Sequence, residues 1–254
     1  RRAASASVSA SAGGEDARLL LELQLEALRT NLEARMPLAP GLPAASAALA
    51  ALERHIAVCP EVQAEKAAER WEGHCAPEQL QFLRHFVAST FAGRAAPLRL
   101  CQVGFNAGHS AAALLEPAPR GSVLLSLDLG LHGYTRPLEA AVGRLAEELG
   151  CRHVLLVGDS AEMLPRFRSI RFDLVFIDGN HAHDAVAEDL RNALALAAPS
   201  TALLLNHVFT DMAEGRGPTR AWLEAVRRGA VAQRAWHSCC SRHGIAVGAA
   251  AGGA

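Results

Sequence analysis

The chain has 254 residues, half of them hydrophobic and a fifth charged, with a formal net charge of −1. That length and apolar content suit one sizeable domain with an appendage. The even charge balance argues against a protein that holds nucleic acid or a membrane surface by bulk attraction, and no apolar run reaches the roughly 18–20 residues of a membrane helix.

The opening "RRAASASVSASAGG" (1–14) is basic, rich in Ser and Ala and free of acids. It reads either as the remnant of a plastid or mitochondrial transit peptide or as a disordered tail, and both readings place it outside the fold. A cytoplasmic or an organellar location follows from the choice between them. The six cysteines show no CxxC and no disulfide-framework spacing, which reads as reduced thiols.

Residues 15–95 read as a helical N-terminal portion. A helix with a wide apolar face is expected over 15–35, and "PLAPGLP" (37–43) breaks it. A second helix is expected over 44–58. A third, after Pro77, carries Leu80, Leu83, Val87 and Phe91 at helical spacing. These helices stand as either a lid over a pocket or a contact in a homodimer.

From residue 96 onward the pattern changes. Apolar runs at 98–103, 122–127, 153–157, 172–177 and 201–206 alternate with helical segments. Continuous apolar strands separated by helices predict an α/β fold with a mostly parallel sheet covered on both faces. A last helix is expected over 219–228, followed by a closing pair of strands in "AQRAWHSCC" and "HGIAVGAA".

In such a sheet, ligands sit beyond the C-terminal strand ends. After the first strand, "VGFNAGHSAA" places Gly104 and Gly108 around a tight turn, with Ser110 entering a helix. Glycine there lets a ligand approach the backbone closely. Asn106 occupies the second glycine position of the dinucleotide fingerprint, which disfavours a nicotinamide oxidoreductase. After the second strand, Asp128 is placed to accept from ribose hydroxyls or to cap a turn. After the third, Asp159 and Ser160 either cap a helix or approach an adenine amino group. The fourth strand runs into Asp178, Asn180, His181, His183 and Asp184, with the last two starting a helix.

Taken in series, "VGFNAGHSA", "LDLGLHGYT", "GDSAEMLP", "FDLVFIDGNHAHDAVAEDL" and "GPTRAW" resemble the class I S-adenosylmethionine (SAM) dependent methyltransferases, in particular the group acting on small molecules. The resemblance implies a seven-stranded Rossmann-like sheet with helices on both faces and SAM across the strand ends. By position it implies Gln102, Gly104, Asn106, Gly108 and Ser110 along the methionine and ribose, Asp128 at the ribose, Asp159 and Ser160 near the adenine, and Asp178 at the reacting methyl group. Three positions depart from the family pattern: Gln102, Asn180 and Asn206–His207 stand where relatives often carry acids.

The expected activity is O-methylation of a small-molecule hydroxyl, with His181 and His207 as candidate bases and Asp178 orienting the acceptor or a base. Mg²⁺ is the competing requirement, held by Asp178 with Asn206 and His207, but one of the usual charges is missing and a hard cation would bind weakly. The mixed His and Asp set suits a softer metal. A catalytically silent SAM-binding scaffold is the reading from another class. His109, His132 and Tyr134 are placed near the cofactor edge or under a loop, and Trp222 and Trp236 in the core or a pocket wall.

Overall fold

The computed structural model describes residues 42–43, 45–209, 213–240 and 243–251, without the side chains of 238–240 and 243. The tail at 1–14 and the helix expected over 15–35 lie outside the described residues. The chain forms helices α1 (Ala47–Val58), α2 (Pro60–Ala67) and α3 (Pro77–Thr90), and then alternates strands with helices. Strand β1 (Arg99–Val103) leads to α4 (His109–Leu115), β2 (Val123–Asp128) to α5 (Thr135–Glu148), and β3 (Arg152–Val157) to the short α6 (Ser160–Met163) with a 3₁₀ turn. Strand β4 (Phe172–Ile177) leads to α7 (His183–Leu196), and β5 (Ala197–Leu205) to α8 (Ala213–Arg227), before β6 (Val231–Cys240) and β7 (His243–Ala250) close the sheet.

The seven strands lie in the order β3-β2-β1-β4-β5-β7-β6. The first five run parallel, and β7 enters antiparallel between β5 and β6. The order reverses between β1 and β4, so the β1 and β4 connections leave on opposite faces and a crevice opens at their C-terminal ends. Leu174 to Ile177 of β4 are all buried, as a central parallel strand covered on both faces requires. This is the Rossmann-like architecture the resemblance implied.

Local differences have local causes. The second expected helix ends at Val58 because Pro60 starts another, α2, from its first position, where the missing N–H costs nothing. In α3, Leu80, Leu83 and Val87 are buried as their spacing requires, while Phe91 follows the helix as its C-cap. Strand β5 begins at Ala197, earlier than its apolar run, and α8 begins at Ala213 and contains Pro218. No described helix is long and apolar enough to cross a membrane.

The N-terminal helices are joined to the sheet domain by a buried ion pair. Arg84 of α3 is 2 % exposed; its Nε meets Glu116 Oε2 at 2.5 Å, and its Nη2 donates to the Pro43 carbonyl at 2.9 Å. Removing one partner of a buried pair leaves a desolvated charge and costs about 3–5 kcal/mol. Arg84→Ala is therefore expected to lower stability by that order, read as a shift of the urea midpoint.

Candidate active site

Two adjoining cavities open at the C-terminal ends of the strands. The first, about 490 Å³, runs from Asp178 and Gly104 past Asp128 to Asp159, Ser160 and Asp189. The second, about 350 Å³, shares Glu72, Gly104, Asn106, Asp178 and Gly179 with it and adds His181 and His207. Such volumes suit a cofactor and a small acceptor placed end to end.

The glycine loop is shaped by backbone rather than by side-chain chemistry. Gly104 (φ 88°) and Gly108 (φ 86°) adopt left-handed conformations. A Cβ at Gly104 would run into the Asp178 carbonyl oxygen, and one at Gly108 would meet Val142 and Phe105 at 2.7 and 2.9 Å. Asn106 is left-handed as well (φ 48°), a conformation asparagine tolerates better than most residues. Its Oδ1 accepts from the Tyr134 hydroxyl at 2.8 Å, and its Nδ2 donates to the Glu72 carbonyl at 3.3 Å. Tyr134 thus packs beneath the loop, stacked on His132 and tilted against Trp71. Ser110 enters α4 and lines the second cavity.

Asp128 ties this loop down. Its Oδ2 accepts from the backbone N–H groups of Phe105 (2.8 Å) and Asn106 (2.9 Å), and its Oδ1 from Gly130 (2.7 Å). A carboxylate offers about four lone-pair sites, so one remains toward the cavity. Asp128 can take one ribose hydroxyl as it stands, not the two that the strand-end position suggested.

Gln102 lines neither cavity. Strand alternation sends Val103 toward the first cavity and Gln102 to the other face of the sheet. There it is fully buried, with Nε2 donating to Ser126 Oγ at 2.9 Å, while that hydroxyl meets His153 Nε2 at 2.8 Å. Burial pushes His153 down to about 4, so at neutral pH this seam carries no charge. A contact from Gln102 to the methionine ammonium is not supported by this placement.

At the far end of the first cavity, Asp159 caps α6 by accepting from the Ala161 N–H at 2.9 Å. The Ser160 hydroxyl donates to Asp189 Oδ1 at 2.6 Å. Asp189 was not singled out in the sequence, because position 189 of an amphipathic helix resembles any surface acid. The fold buries it, 2 % exposed, against the cleft. Burial, with Asp159 and Glu188 nearby, pushes its carboxyl up to about 6 despite the Ser160 hydrogen bond. A folded-state value above the unfolded one means the folded chain binds the proton more tightly, so this stabilisation is present below pH 4 and lost as the pH rises through 6. Asp189→Asn is expected to remove that dependence: relative to the parent, the variant gains about 2–3 kcal/mol between pH 4 and pH 7 in urea titrations.

The two cavities meet at Asp178. Asn206 Nδ2 donates to its Oδ1 at 2.8 Å, and His207 Nε2 lies 3.4 Å from the same oxygen. His181 and His207 have ring centroids 4.0 Å apart. Burial alone would raise the Asp178 carboxyl, but the His207 hydrogen bond and charge, the Asn206 amide and the His181 charge together hold it below the usual carboxylate range. His207 has φ 57°, a strained conformation for a non-glycine residue that costs of order 1–3 kcal/mol and must be held by its surroundings. Asn180 does not join this group; it is exposed, and its Oδ1 accepts from the Ala182 N–H at 2.8 Å in a turn leading into α7. His183 and Asp184 start that helix, with His183 paired to Asp184 and Glu224.

Residues 101–208, from β1 to just past this cluster, match the family model described as a methyltransferase domain. The chain is thus similar to methyltransferase domains over this segment. No curated protein sequence matches it significantly. Among solved structures, the domain resembles an O-methyltransferase from Bacillus cereus in complex with S-adenosylhomocysteine (SAH), 17% identical over 79% of this chain and 90% of that one, with a TM-score of 0.59. It also resembles TomG, an O-methyltransferase from Streptomyces achromogenes involved in tomaymycin synthesis, in complex with SAM (18% identical, 80% and 90% covered, TM-score 0.60). The cofactor-bound protein Rv0187 from MTB is similar at 17% identity, with 83% and 92% covered and a TM-score of 0.62. At these identities the likeness establishes the fold.

The segment before the methyltransferase domain contributes a wall. Glu72, Gly73, His74 and Cys75 line the second cavity opposite Asp178, His181 and His207. Gly73 is packed so closely that a Cβ would meet Ala107 at 2.8 Å. His109, at the start of α4, bonds Glu53 of α1 at 2.8 Å, and His132 lies 3.5 Å from Glu72. These contacts place α1 and residues 72–75 against the cleft. Trp222 is a core residue, fully buried with Nε1 donating to Gln233, and Trp236 donates to the Val208 carbonyl.

Proposed function

We propose that this methyltransferase transfers the methyl group of SAM to a hydroxyl of a small molecule seated in the smaller cavity. The observation that supports this most directly is the junction at Asp178, where the larger cleft meets a cavity bearing two imidazoles. SAM fits the larger cleft. The backbone at Gly104 leaves no room for a Cβ beside Asp178, and Asp128 retains an acceptor site for a ribose hydroxyl. Three carboxylates (Asp159, Glu188 and Asp189) line the far end, which suits an amino-bearing heterocycle and disfavours a phosphate. The charge pattern therefore agrees with adenosine and opposes NADP. The relatives solved with SAM or SAH share this fold.

The reaction needs positioning and a route for one proton. The acceptor oxygen attacks the methyl carbon in line with the departing sulfur; the carbon–sulfur bond breaks and SAH remains. Alignment of the two reactants in adjoining cavities supplies much of the acceleration. The hydroxyl proton leaves at the Asp178–His181–His207 cluster. Asp178, anionic by virtue of its neighbours, holds the geometry and balances positive charge that develops there.

Mg²⁺ does not fit this cluster. A hard cation of that size prefers carboxylates and water, whereas the groups here are one carboxylate, two imidazoles and an amide already donating its N–H to that carboxylate. Incubating the chain with methyl-labelled SAM and a panel of phenols, sugars and hydroxy acids tests the reading. Label is expected in an ether product, with one SAH formed per methyl transferred. Label appearing only on amines or carbon would overturn the hydroxyl assignment.

A further inference from the structure

We propose that the acceptor is a two-part molecule, a hydroxyl-bearing end joined through an apolar body to a carboxylate or similar anion, and that Lys66 receives the anion. The inference rests on the methyl-transfer reading of the smaller cavity and extends it to the class of substrate. A third cavity, about 640 Å³, lies beside that one. The two share Gly73, His74, Cys75 and His109. They adjoin along the 73–75 segment, which belongs to no helix or strand. Leu49 and Ile56 of α1, Leu80 of α3 and Trp71 give the third cavity apolar walls. A simple phenol at the Asp178 junction leaves this space unused, whereas an acceptor with an apolar body gains by filling it.

The charged groups lining this cavity are matched in pairs, with one exception. Arg84 is held by Glu116, and Glu53 by His109. Lys66 is the only lysine among the 254 residues. Its neighbour Glu65 pairs with Arg70 instead, and among the described residues Lys66 meets no carboxylate. Its ammonium stands 5.1 Å from the centre of the Trp71 ring, a contact that steadies a long side chain without neutralising it. The indole itself is seated against backbone: a Cβ at Gly73 would run into its six-membered ring. An exposed cation at an apolar cavity suits a ligand whose body is buried and whose anion stays at the surface. The same cation, with Arg84 behind it, opposes an acceptor that carries an amine there.

Binding is measured on the full chain with SAH in place, so that no turnover is needed. The probes are 4-hydroxyphenylalkanoic acids of increasing chain length and their primary amides, titrated calorimetrically. Once the chain is long enough to reach Lys66 from the smaller cavity, the acid is expected to bind roughly 5–10-fold more tightly than its amide. Short members should show no such preference. Lys66→Gln is expected to abolish the preference and Lys66→Arg to keep most of it, with circular dichroism verifying that each variant is folded. Leu49→Trp, which narrows the cavity, should weaken the long members and spare the short ones. Because the chain has one lysine, its acetylation by acetic anhydride gives a second reading: the long acid should protect Lys66 and the amide should not. Absence of probe binding, an acid preference that survives Lys66→Gln, or equal binding of acids and amides at every length would overturn the proposal. A chain that binds SAH but shows no acid preference loses this substrate class and keeps the methyltransferase reading. One that binds the long acids through Lys66 but never SAH keeps the anion site and loses that reading.

Discussion

Asp178→Ala is expected to lower kcat for methyl transfer by about 10²–10⁴-fold while changing SAM affinity by less than about 10-fold. The first figure is the usual contribution of a positioned group that manages a proton in the transition state. Asp178 contacts His207 and Asn206 and stands where the two cavities join, so its loss frees both partners at once. The second figure follows because the cofactor cleft is formed along most of its length by other residues. Asp178→Asn keeps the shape and removes the charge; it should fall in the same range if the anion is what matters. A variant with unchanged kcat at saturating SAM and acceptor would remove Asp178 from the chemistry. A variant with lost SAM affinity and normal kcat would make it a cofactor contact only.

Gly104→Val is expected to raise the Kd for SAM or SAH by at least about 100-fold. Two costs combine at this position. The left-handed backbone opposes any Cβ by about 1–2 kcal/mol, and a branched residue more. The new side chain also meets the Asp178 carbonyl and the start of Gly179. Forcing atoms into a filled space typically costs 1–3 kcal/mol. The chain must move β1 and β4 apart at their C-terminal ends or distort the loop, and both changes close or tilt the cofactor cleft. Gly104→Ala should show the same effect in weaker form. Calorimetric titration with SAH, alongside a melting curve that verifies folding, reads the result.

The legibility of this protein from its sequence follows the physics of each part. Strands β1 to β4 were readable because a parallel sheet buried on both faces demands unbroken apolar runs, as "FDLVFI" shows. The start of β5 was not, since "AAPS" is neither apolar nor periodic and is drawn into the sheet by pairing with β4. Helix α2 was missed because "PEVQAEKA" buries a single residue, Val62, and so has no apolar stripe to detect. At the site, Gly104, Asp128 and Asp178 could be found from their places just after strands. Gln102 could be located but not aimed: only the alternation of β1 reveals that it turns away from the cleft. Asp189 and the wall of Glu72 to Cys75 depend on tertiary packing, which no local pattern carries.

The position of His207 illustrates the same limit. Its sequence neighbours suggested a residue after a strand, near the reaction. The structure adds a left-handed backbone, a partner in Asp178 and an imidazole neighbour in His181. As the sequence suggested, the two candidate histidines lie together, with ring centroids 4.0 Å apart and His207 Nε2 3.4 Å from Asp178 Oδ1.

The most direct test of the account is isothermal titration of the full chain with SAH, SAM and NAD. The account predicts one SAH or SAM bound per chain, with a matching rise in melting temperature and no heat from NAD. Binding of NAD without binding of SAM or SAH would contradict it.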